Sequence, residues 1–235
     1  ETPVIAQGTL LNYVGGRWTA AAASETLPVR NPATGETIAS APLSSAEDVG
    51  AAVAAASDAF TTWRRVPPGD RIQPLFRLKA LLDAHFTDLA RVITLECGKT
   101  LAESEGELKR GIENVEVAAG IPSLMLGMSL EDIASGIDEL MIRQPVGVVG
   151  VITPFNFPGM IPLWFMPYAV ACGNTVVLKP SEKTPTTMAR LMQLVEEAGF
   201  PPGVVNLVHG GREAVDALLD HPDVRAISFV GSTPV

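Results

Sequence analysis

The sequence predicts an α/β protein built on an open, parallel, Rossmann-like sheet of about four strands, preceded by a region of α-helices and β-hairpins. An uncharged stretch, residues 144–178, has the pattern of a strand, an apolar helix and a second strand. Two further alternations of helix and strand follow it before the sequence ends. The strand segments are β-branched and apolar, which is typical of parallel strands buried on both faces.

The uncharged stretch is long enough for a transmembrane helix, but its composition argues against one. Pro145, Pro154, Pro158, Pro162 and Pro167 would interrupt a single apolar helix of about 20 residues. We therefore expect no membrane span and no membrane partner.

The other elements follow in chain order from turn, cap and periodicity signals. Gly15 and Gly16 predict a tight turn between two short strands, and Ser45 before two acidic residues predicts a helix N-terminus. Apolar residues recur at helical spacing in several later segments. The expected elements are hairpins over 12–19 and 27–39, a helix over 46–63, two amphipathic helices between 70 and 97, a helix over 102–119, an exposed strand within 130–144, strands at 146–153, 175–178, 204–208 and 226–230, and helices at 160–172, 184–198 and 212–220.

These elements divide the chain into three expected regions. Residues 1–129 supply hairpins and helices that pack on the Rossmann-like core. Residues 130–144 form a projecting strand region suited to contact between subunits. Residues 145–235 form the Rossmann-like core, which we expect to be incomplete because a crossover helix should follow the fourth strand and the sequence stops there.

Charge and cysteine content disfavour several classes of function. Seventeen basic and twenty-six acidic residues give a net charge of −9, which argues against a nucleic-acid partner. Cys97 and Cys172 lack the spacing of a zinc site or a disulfide framework, so we expect no metal and a reducing compartment. No secretory signal opens the sequence, so a cytoplasmic location is expected.

Functional side chains are expected at the carboxyl ends of the first two core strands, where ligands bind to open parallel sheets. Thr153, Phe155 and Asn156 follow the first strand, and Lys179 to Lys183 follow the second. Lys179 is either a charge leaving the sheet for water or a cation for phosphate or sugar hydroxyls, and the pattern leaves both readings open. On spacing alone, Asn156 has the pattern of a turn residue.

The helix predicted at residues 102–119 carries many charges, with Glu alternating with Val and Ile at helical spacing. We interpret these charges, including Lys109 and Arg110, as a solvated face and not as a site.

Six short motifs resemble the aldehyde dehydrogenase superfamily, in order and at matching intervals along nearly the whole chain. They are NPATG at 31–35, ECGKT at 96–100, PFNFP at 154–158, GNT at 173–175, KPSE at 179–182 and FVGS at 229–232. Most members carry Trp where this chain has Phe155. The surrounding stretch is similar to the branch of CoA-acylating methylmalonate-semialdehyde (malonate-semialdehyde) dehydrogenases.

The resemblance implies a site for NAD formed by six residues. They are Thr153 and Phe155 on the nicotinamide side, Lys179 and Glu182 at the adenosine ribose, Lys183 beside them, and Ser232 at the pyrophosphate loop. A carboxylate at Glu182 would favour NAD over NADP, since it accepts from ribose hydroxyls and repels a 2′-phosphate.

Asn156 matches the family's oxyanion donor, whose side-chain amide stabilises the oxyanion formed when a Cys thiolate attacks an aldehyde. We expect Phe155 and Phe157 to hold this amide in a dry, fixed orientation. The family's nucleophilic Cys lies in a later catalytic domain. Cys97 and Cys172 are therefore interpreted as structural thiols.

The resemblance implies a full protein that oxidises a small (methyl)malonate-semialdehyde-type aldehyde with NAD, passes the acyl group from a thioester to CoA, and assembles as a homo-oligomer, a dimer or a tetramer. This chain alone would be its inactive NAD-binding portion. Two alternatives stay open. One is a non-acylating NAD(P)-dependent aldehyde dehydrogenase in which water resolves the thioester, and the other is a catalytically silent nucleotide-binding or assembly module.

Overall fold

A computed structural model describes residues 8–233, and its elements follow the predicted order. The strands are β1 (Asn12–Val14), β2 (Arg17–Thr19), β3 (Thr26–Arg30), β4 (Thr37–Pro42), β5 (Met128–Ala134), β6 (Ile137–Met141), β7 (Val148–Ile152), β8 (Thr175–Lys179), β9 (Val205–Leu207) and β10 (Val224–Phe229). The helices are α1 (Ala46–Trp63), α2 (Pro68–Arg71), α3 (Gln73–Ala84), α4 (Phe86–Cys97), α5 (Leu101–Ala119), α6 (Ile121–Leu124), α7 (Met160–Ala171), α8 (Pro185–Glu197) and α9 (Arg212–Asp220). Each helix within residues 8–233 is too short or too polar to cross a lipid bilayer.

The main sheet has six strands in the order β10, β7, β8, β9, β1, β2. The first four are parallel, as predicted, and β1 runs antiparallel to both β9 and β2. Two side-chain amides attach the N-terminal hairpin: the His209 N–H donates to Asn12 Oδ1 and the Gly15 N–H donates to Asn206 Oδ1, each at 2.9 Å. The predicted fold class is confirmed, and this hairpin makes the sheet mixed by adding two strands.

Every residue of β7 and β8 is buried, because helices cover both faces of the sheet. On β7, Val148 and Ile152 pack with α1 and α9, whereas Val149 and Val151 pack on the opposite side with α3, α5, α7 and α8. Each such side chain stabilises the fold by about 1.5–3 kcal/mol relative to exposure. A charge before Lys179, the last residue of β8, would lie in one core or the other, which explains why residues 144–178 are uncharged.

Helix α7 is apolar around most of its circumference because it is enclosed by the sheet and by α5. A Cβ atom at Gly111 of α5 would lie 2.9 Å from Leu163 Cδ1 of α7, so glycine permits the close approach of the two helices. Tyr168 of α7 donates from its hydroxyl to Asn114 Oδ1 of α5 at 2.9 Å. This packing fixes where α7 begins, and therefore where the loop from β7 must end.

Two hairpins lie outside the main sheet. In the first, β3 pairs with β4, and Val29 and Ala39 form a small core with Ala189 of α8. In the second, β5 pairs with β6, and every residue of both strands is exposed. The exposed strand predicted within residues 130–144 is thus one arm of a hairpin that also includes residues 128 and 129.

Glu96, near the C-terminus of α4, accepts hydrogen bonds from free backbone N–H groups at the N-terminus of α8. Its carboxylate accepts from the backbone N–H groups of Thr186 and Thr187, each at 2.8 Å, and from the Thr186 hydroxyl. These N–H groups belong to the first turn of the helix and have no partner within it. Burial raises the pKa of Glu96 to about 7, against the opposing effect of the hydrogen bonds. Glu96 thereby anchors the helix that follows residues 179–183.

Replacing Glu96 by Gln tests this burial. Because the pKa is raised in the folded state, protonation of Glu96 stabilises the fold at pH below about 4.5, and this stabilisation is lost as the pH rises through about 7. The unfolding free energy of the wild type minus that of Glu96→Gln should therefore fall by on the order of 1–3 kcal/mol between about pH 4 and pH 8. Urea denaturation across this range measures the difference, with the exposed Glu197→Gln as a control for the loss of one charge. A difference that grows with pH would contradict the assignment, since hydrogen bonding to the carboxylate would then outweigh its burial.

Candidate functional site

A cleft of about 460 Å³ opens at the carboxyl ends of β7, β8 and β10. This volume lies in the range of small-molecule sites in proteins. All seven residues predicted as site residues line this cleft. They are Thr153, Phe155, Asn156, Lys179, Glu182, Lys183 and Ser232.

The register of β7 and β8 places two of these residues side by side. Ile152 pairs with Lys179, and the Thr153 N–H donates to the Lys179 carbonyl at 3.1 Å. The Thr153 hydroxyl is buried and has no hydrogen-bond partner among residues 8–233. Buried polar atoms are nearly always paired, so an unpaired one at the wall of a cleft is suited to a ligand.

Lys179 is almost completely buried, with 4% of its surface exposed, although it carries an amine at the end of an apolar strand. Its Nζ lies 3.7 Å from Glu182 Oε2, which is an ion pair beyond hydrogen-bond distance. Burial lowers the pKa of Lys179, and the attraction of Glu182 opposes this change. The sequence left two interpretations of Lys179 open: a charge that leaves the sheet for water, or a cation for phosphate or sugar hydroxyls. Burial favours the cation, because this amine does not extend into bulk water.

The rim of the cleft is formed by the end of β10. The Val230 N–H donates to the Ile152 carbonyl at 3.2 Å, which brings the chain after β10 alongside the end of β7. Phe229 and Ser232 are exposed there. Ser232 therefore lies at the mouth of the cleft, whereas Lys179 lies at its buried end.

Phe155 and Phe157 flank Asn156 but do not bury it. All three residues are exposed, so the dry setting expected for the Asn156 amide is not present within residues 8–233. The rings instead pair with cations: Lys183 Nζ lies 5.0 Å from the centre of the Phe155 ring, and Lys99 Nζ lies 4.1 Å from that of Phe157. Amine contacts hold these rings at the surface.

Glu107 fixes the end of the loop that carries Asn156, residues 153–159, which we call the Asn156 loop. Its side chain is fully buried, and Oε1 accepts from the Gly159 N–H at 2.8 Å and the Met160 N–H at 3.1 Å, at the start of α7. Its other oxygen, Oε2, pairs with Lys99, the amine that contacts Phe157. A carboxylate at a helix N-terminus is favoured by the helix dipole as well as by these hydrogen bonds. One buried carboxylate of α5 thus contacts the start of α7 directly and the Phe157 ring through Lys99.

The interpretation of the α5 charges as a solvated face is right for Lys109 and Arg110, which are exposed, but wrong for Glu107. The signal that points to such a residue lies elsewhere in the chain. Gly159 has no side chain with which to cap the buried helix α7, so an acceptor must come from a distant segment.

The fold brings Cys97 next to the Asn156 loop, although the two residues are far apart in sequence. Its Sγ donates to the Phe155 carbonyl at 3.5 Å. Burial raises the pKa of both Cys97 and Cys172, which keeps each in the thiol form at neutral pH. The thiolate is the nucleophilic form, so neither environment activates a nucleophile.

The fold and the cleft define an α/β domain whose candidate ligand site lies at the carboxyl edge of a parallel sheet. The family model for the aldehyde dehydrogenase family matches residues 18–235. The chain belongs to the aldehyde dehydrogenase family.

Among its relatives, malonate-semialdehyde dehydrogenase 2 of Geobacillus kaustophilus is 56% identical over 227 residues, covering 97% of this chain and 47% of that protein. The crystal structure of a methylmalonate-semialdehyde dehydrogenase from Oceanimonas doudoroffii matches with a TM-score of 0.94 and 47% identity, covering 97% of this chain and 46% of the other. A candidate methylmalonate-semialdehyde dehydrogenase from Sinorhizobium meliloti in complex with NAD matches with a TM-score of 0.94 and 42% identity, at 97% and 46% coverage. The chain spans about half the length of the curated relatives that it matches.

Removing the Glu107 carboxylate should destabilise the chain and loosen the Asn156 loop. We expect Glu107→Ala to lower the unfolding free energy by about 3–5 kcal/mol, because it leaves Lys99 unpaired and two N–H groups without an acceptor. Urea denaturation measures the loss of stability. The rate of amide hydrogen exchange should increase most at Gly159 and Met160, whose N–H groups lose their acceptor. The exposed Glu113→Ala on the same helix is the matched control and should change stability by less than about 0.5 kcal/mol. Equal effects of the two substitutions would remove Glu107 from this role.

Proposed function

We propose that this chain forms the NAD-binding portion of an NAD-dependent, CoA-acylating dehydrogenase that oxidises an aldehyde of the malonate-semialdehyde type. The main supporting observation is the convergence of Thr153, Lys179 and Glu182 on one cleft, with the amine of Lys179 buried and beyond hydrogen-bond distance of its only ion-pair partner in residues 8–233. The names of the relatives support the aldehyde class and the NAD complex of the Sinorhizobium meliloti protein supports the cofactor.

The chemistry of these side chains fits a dinucleotide. The Lys179 amine donates to ribose hydroxyls at the buried end of the cleft, and the Glu182 carboxylate accepts from them. The unpaired Thr153 hydroxyl and the exposed Phe155 ring lie on the side of the Asn156 loop, where the nicotinamide belongs. Lys183 holds Phe155, and Ser232 at the mouth contacts the pyrophosphate.

Asn156 takes part in the chemical step. Its amide N–H donates to the oxygen that becomes negatively charged when a thiolate attacks the aldehyde carbon. NAD, when bound, supplies the hydride acceptor, and CoA is the acceptor of the acyl group. The thiolate is not supplied by Cys97 or Cys172, whose environments favour the thiol. Lys99 and Glu107 position the loop that carries Asn156.

The chain should bind NAD more tightly than NADP, because Glu182 accepts from the ribose 2′-hydroxyl and repels a 2′-phosphate. Glu182→Gln removes the repulsion, so the dissociation constant of NADP divided by that of NAD should fall by roughly tenfold. Calorimetric titration of both cofactors into the 235-residue chain measures the ratio. Glu197→Gln, an exposed change on α8, is the matched control. Equal or tighter binding of NADP by the wild type would contradict the assignment of Glu182.

In an enzyme that contains this chain with a catalytic domain, Asn156→Ala should lower kcat by a factor on the order of 10² to 10³, the usual loss for one oxyanion donor. NAD affinity should change little, since the amide is not assigned a cofactor contact. Steady-state kinetics, corrected for the folded fraction, and NAD titration separate the two effects. An unchanged kcat per folded molecule would show that Asn156 only shapes its loop.

We further propose that the β5–β6 hairpin is a contact between subunits. Every residue of its two strands is exposed in the part of the chain that the structure describes. The exposed apolar side chains include Met128, Leu130, Ile133, Ile137 and Leu140. Exposed apolar strands of this kind are typical of interaction surfaces. Leu130→Lys with Leu140→Lys should shift the full-length protein toward a smaller oligomer in analytical ultracentrifugation. An unchanged mass in that double variant would contradict the assignment. We also propose that this contact region spans residues 130–144, between an N-terminal region and the sheet core.

A further inference from the structure

A second cavity, of about 650 Å³ and open to solvent, lies at the opposite edge of the sheet from the proposed cofactor cleft. Pro145 lines it shortly before β7 begins, whereas Thr153 lines the cleft directly after β7 ends. A five-residue strand separates the two by roughly 16 Å. This cavity therefore makes no use of the residues assigned to the cofactor.

Four arginines line the second cavity, and no acidic residue of the described range 8–233 does. They are Arg64, Arg65, Arg71 and Arg143. Among the residues that the structure describes, none of the four forms an ion pair. The chain as a whole has a net charge of −9, so four unpaired cations around one cavity form a local region of positive potential.

Arg71 is the buried member of this set, with 3% of its surface exposed. Its Nη1 donates to the Arg64 carbonyl at 3.3 Å, and its Nη2 contacts Met125 Sδ at 3.6 Å. Its Nε is buried and has no hydrogen-bond partner in residues 8–233. A guanidinium stays charged at neutral pH and has five N–H groups, so three of them have no hydrogen-bond partner within residues 8–233.

Backbone geometry around Arg71 keeps room for its guanidinium. Gly173 has a φ of +94°, and a Cβ atom there would lie 2.5 Å from Arg71 Nη1. The neighbouring Asp70 is exposed, does not line the cavity and forms no ion pair with Arg71. A buried charge without a counter-ion is unfavourable, and an oxyanion on its open donors would remove that penalty.

We propose that this cavity binds an oxyanion, a carboxylate or a phosphate group, on the guanidinium of Arg71 with Arg65 and Arg143 at its mouth. Arginine is suited to this ligand because its planar N–H groups match the two oxygens of a carboxylate or phosphate. The volume admits a small organic anion as well as the inorganic ion.

Calorimetric titration of the 235-residue chain with inorganic phosphate and with succinate, at constant ionic strength, tests the proposal. We expect saturable binding at one site with a dissociation constant of about 1 mM or below. The anion that binds more tightly identifies which of the two groups the site prefers, and either order supports the proposal. No saturable binding of either anion would overturn it.

Variants assign the binding to the cavity. Arg71→Met should abolish it, and the exposed Arg143→Gln, which is expected to fold normally, should weaken it by roughly tenfold. Arg17→Gln, an exposed change on β2 outside the cavity, is the matched control and should have no effect. Equal losses in Arg143→Gln and Arg17→Gln would overturn the proposal. Loss of binding in Lys179→Met with full binding in Arg143→Gln would also overturn it, because the anion would then lie in the cofactor cleft.

Discussion

The parallel pairing of β7 with β8 is the constraint on which the rest of the structure depends. It aligns Ile152 with Lys179, so that Thr153 and a buried amine meet at one edge of the sheet. It also requires a crossover, which α7 supplies, and it leaves both faces of the two strands apolar and in need of cover. The helices on either side, and the cleft at the carboxyl edge, follow from that single pairing.

Four charged residues, Arg71, Glu96, Glu107 and Lys179, are buried within residues 8–233, and helix termini account for two of them. Glu96 and Glu107 each accept from the free N–H groups at the start of a helix, α8 and α7 respectively. Both helices begin where a loop of the cleft ends, so the two carboxylates position the loops without entering the cleft. Arg71 forms no ion pair within residues 8–233 and has a buried Nε without a partner there, and this contrast supports the proposed oxyanion site.

The parts of the fold that depend on local pattern are predictable from the sequence. The glycine pair at the first turn, Ser45 before α1 and the alternating segments after residue 144 each specify an element through chemistry within a few residues. The placement of Thr153 and Lys179 at one edge follows from the rule for open parallel sheets. The capping role of the Glu107 carboxylate is not predictable in this way, because exposed charges follow it in the sequence and the two N–H groups that it accepts from are 52 and 53 residues away. The exposure of Asn156 depends likewise on which elements pack over its loop, and periodicity does not carry that information.

A crystal structure of the 235-residue chain with NAD is the most direct test of the proposed cofactor site. The predicted result is an adenosine ribose at the carboxyl ends of β7 and β8, with its hydroxyls about 2.7–3.2 Å from Lys179 Nζ and from the Glu182 carboxylate. The nicotinamide should lie toward Thr153 and Phe155. NAD bound in the arginine-lined cavity, or bound elsewhere with Lys179 out of contact, would contradict the assignment of the cleft.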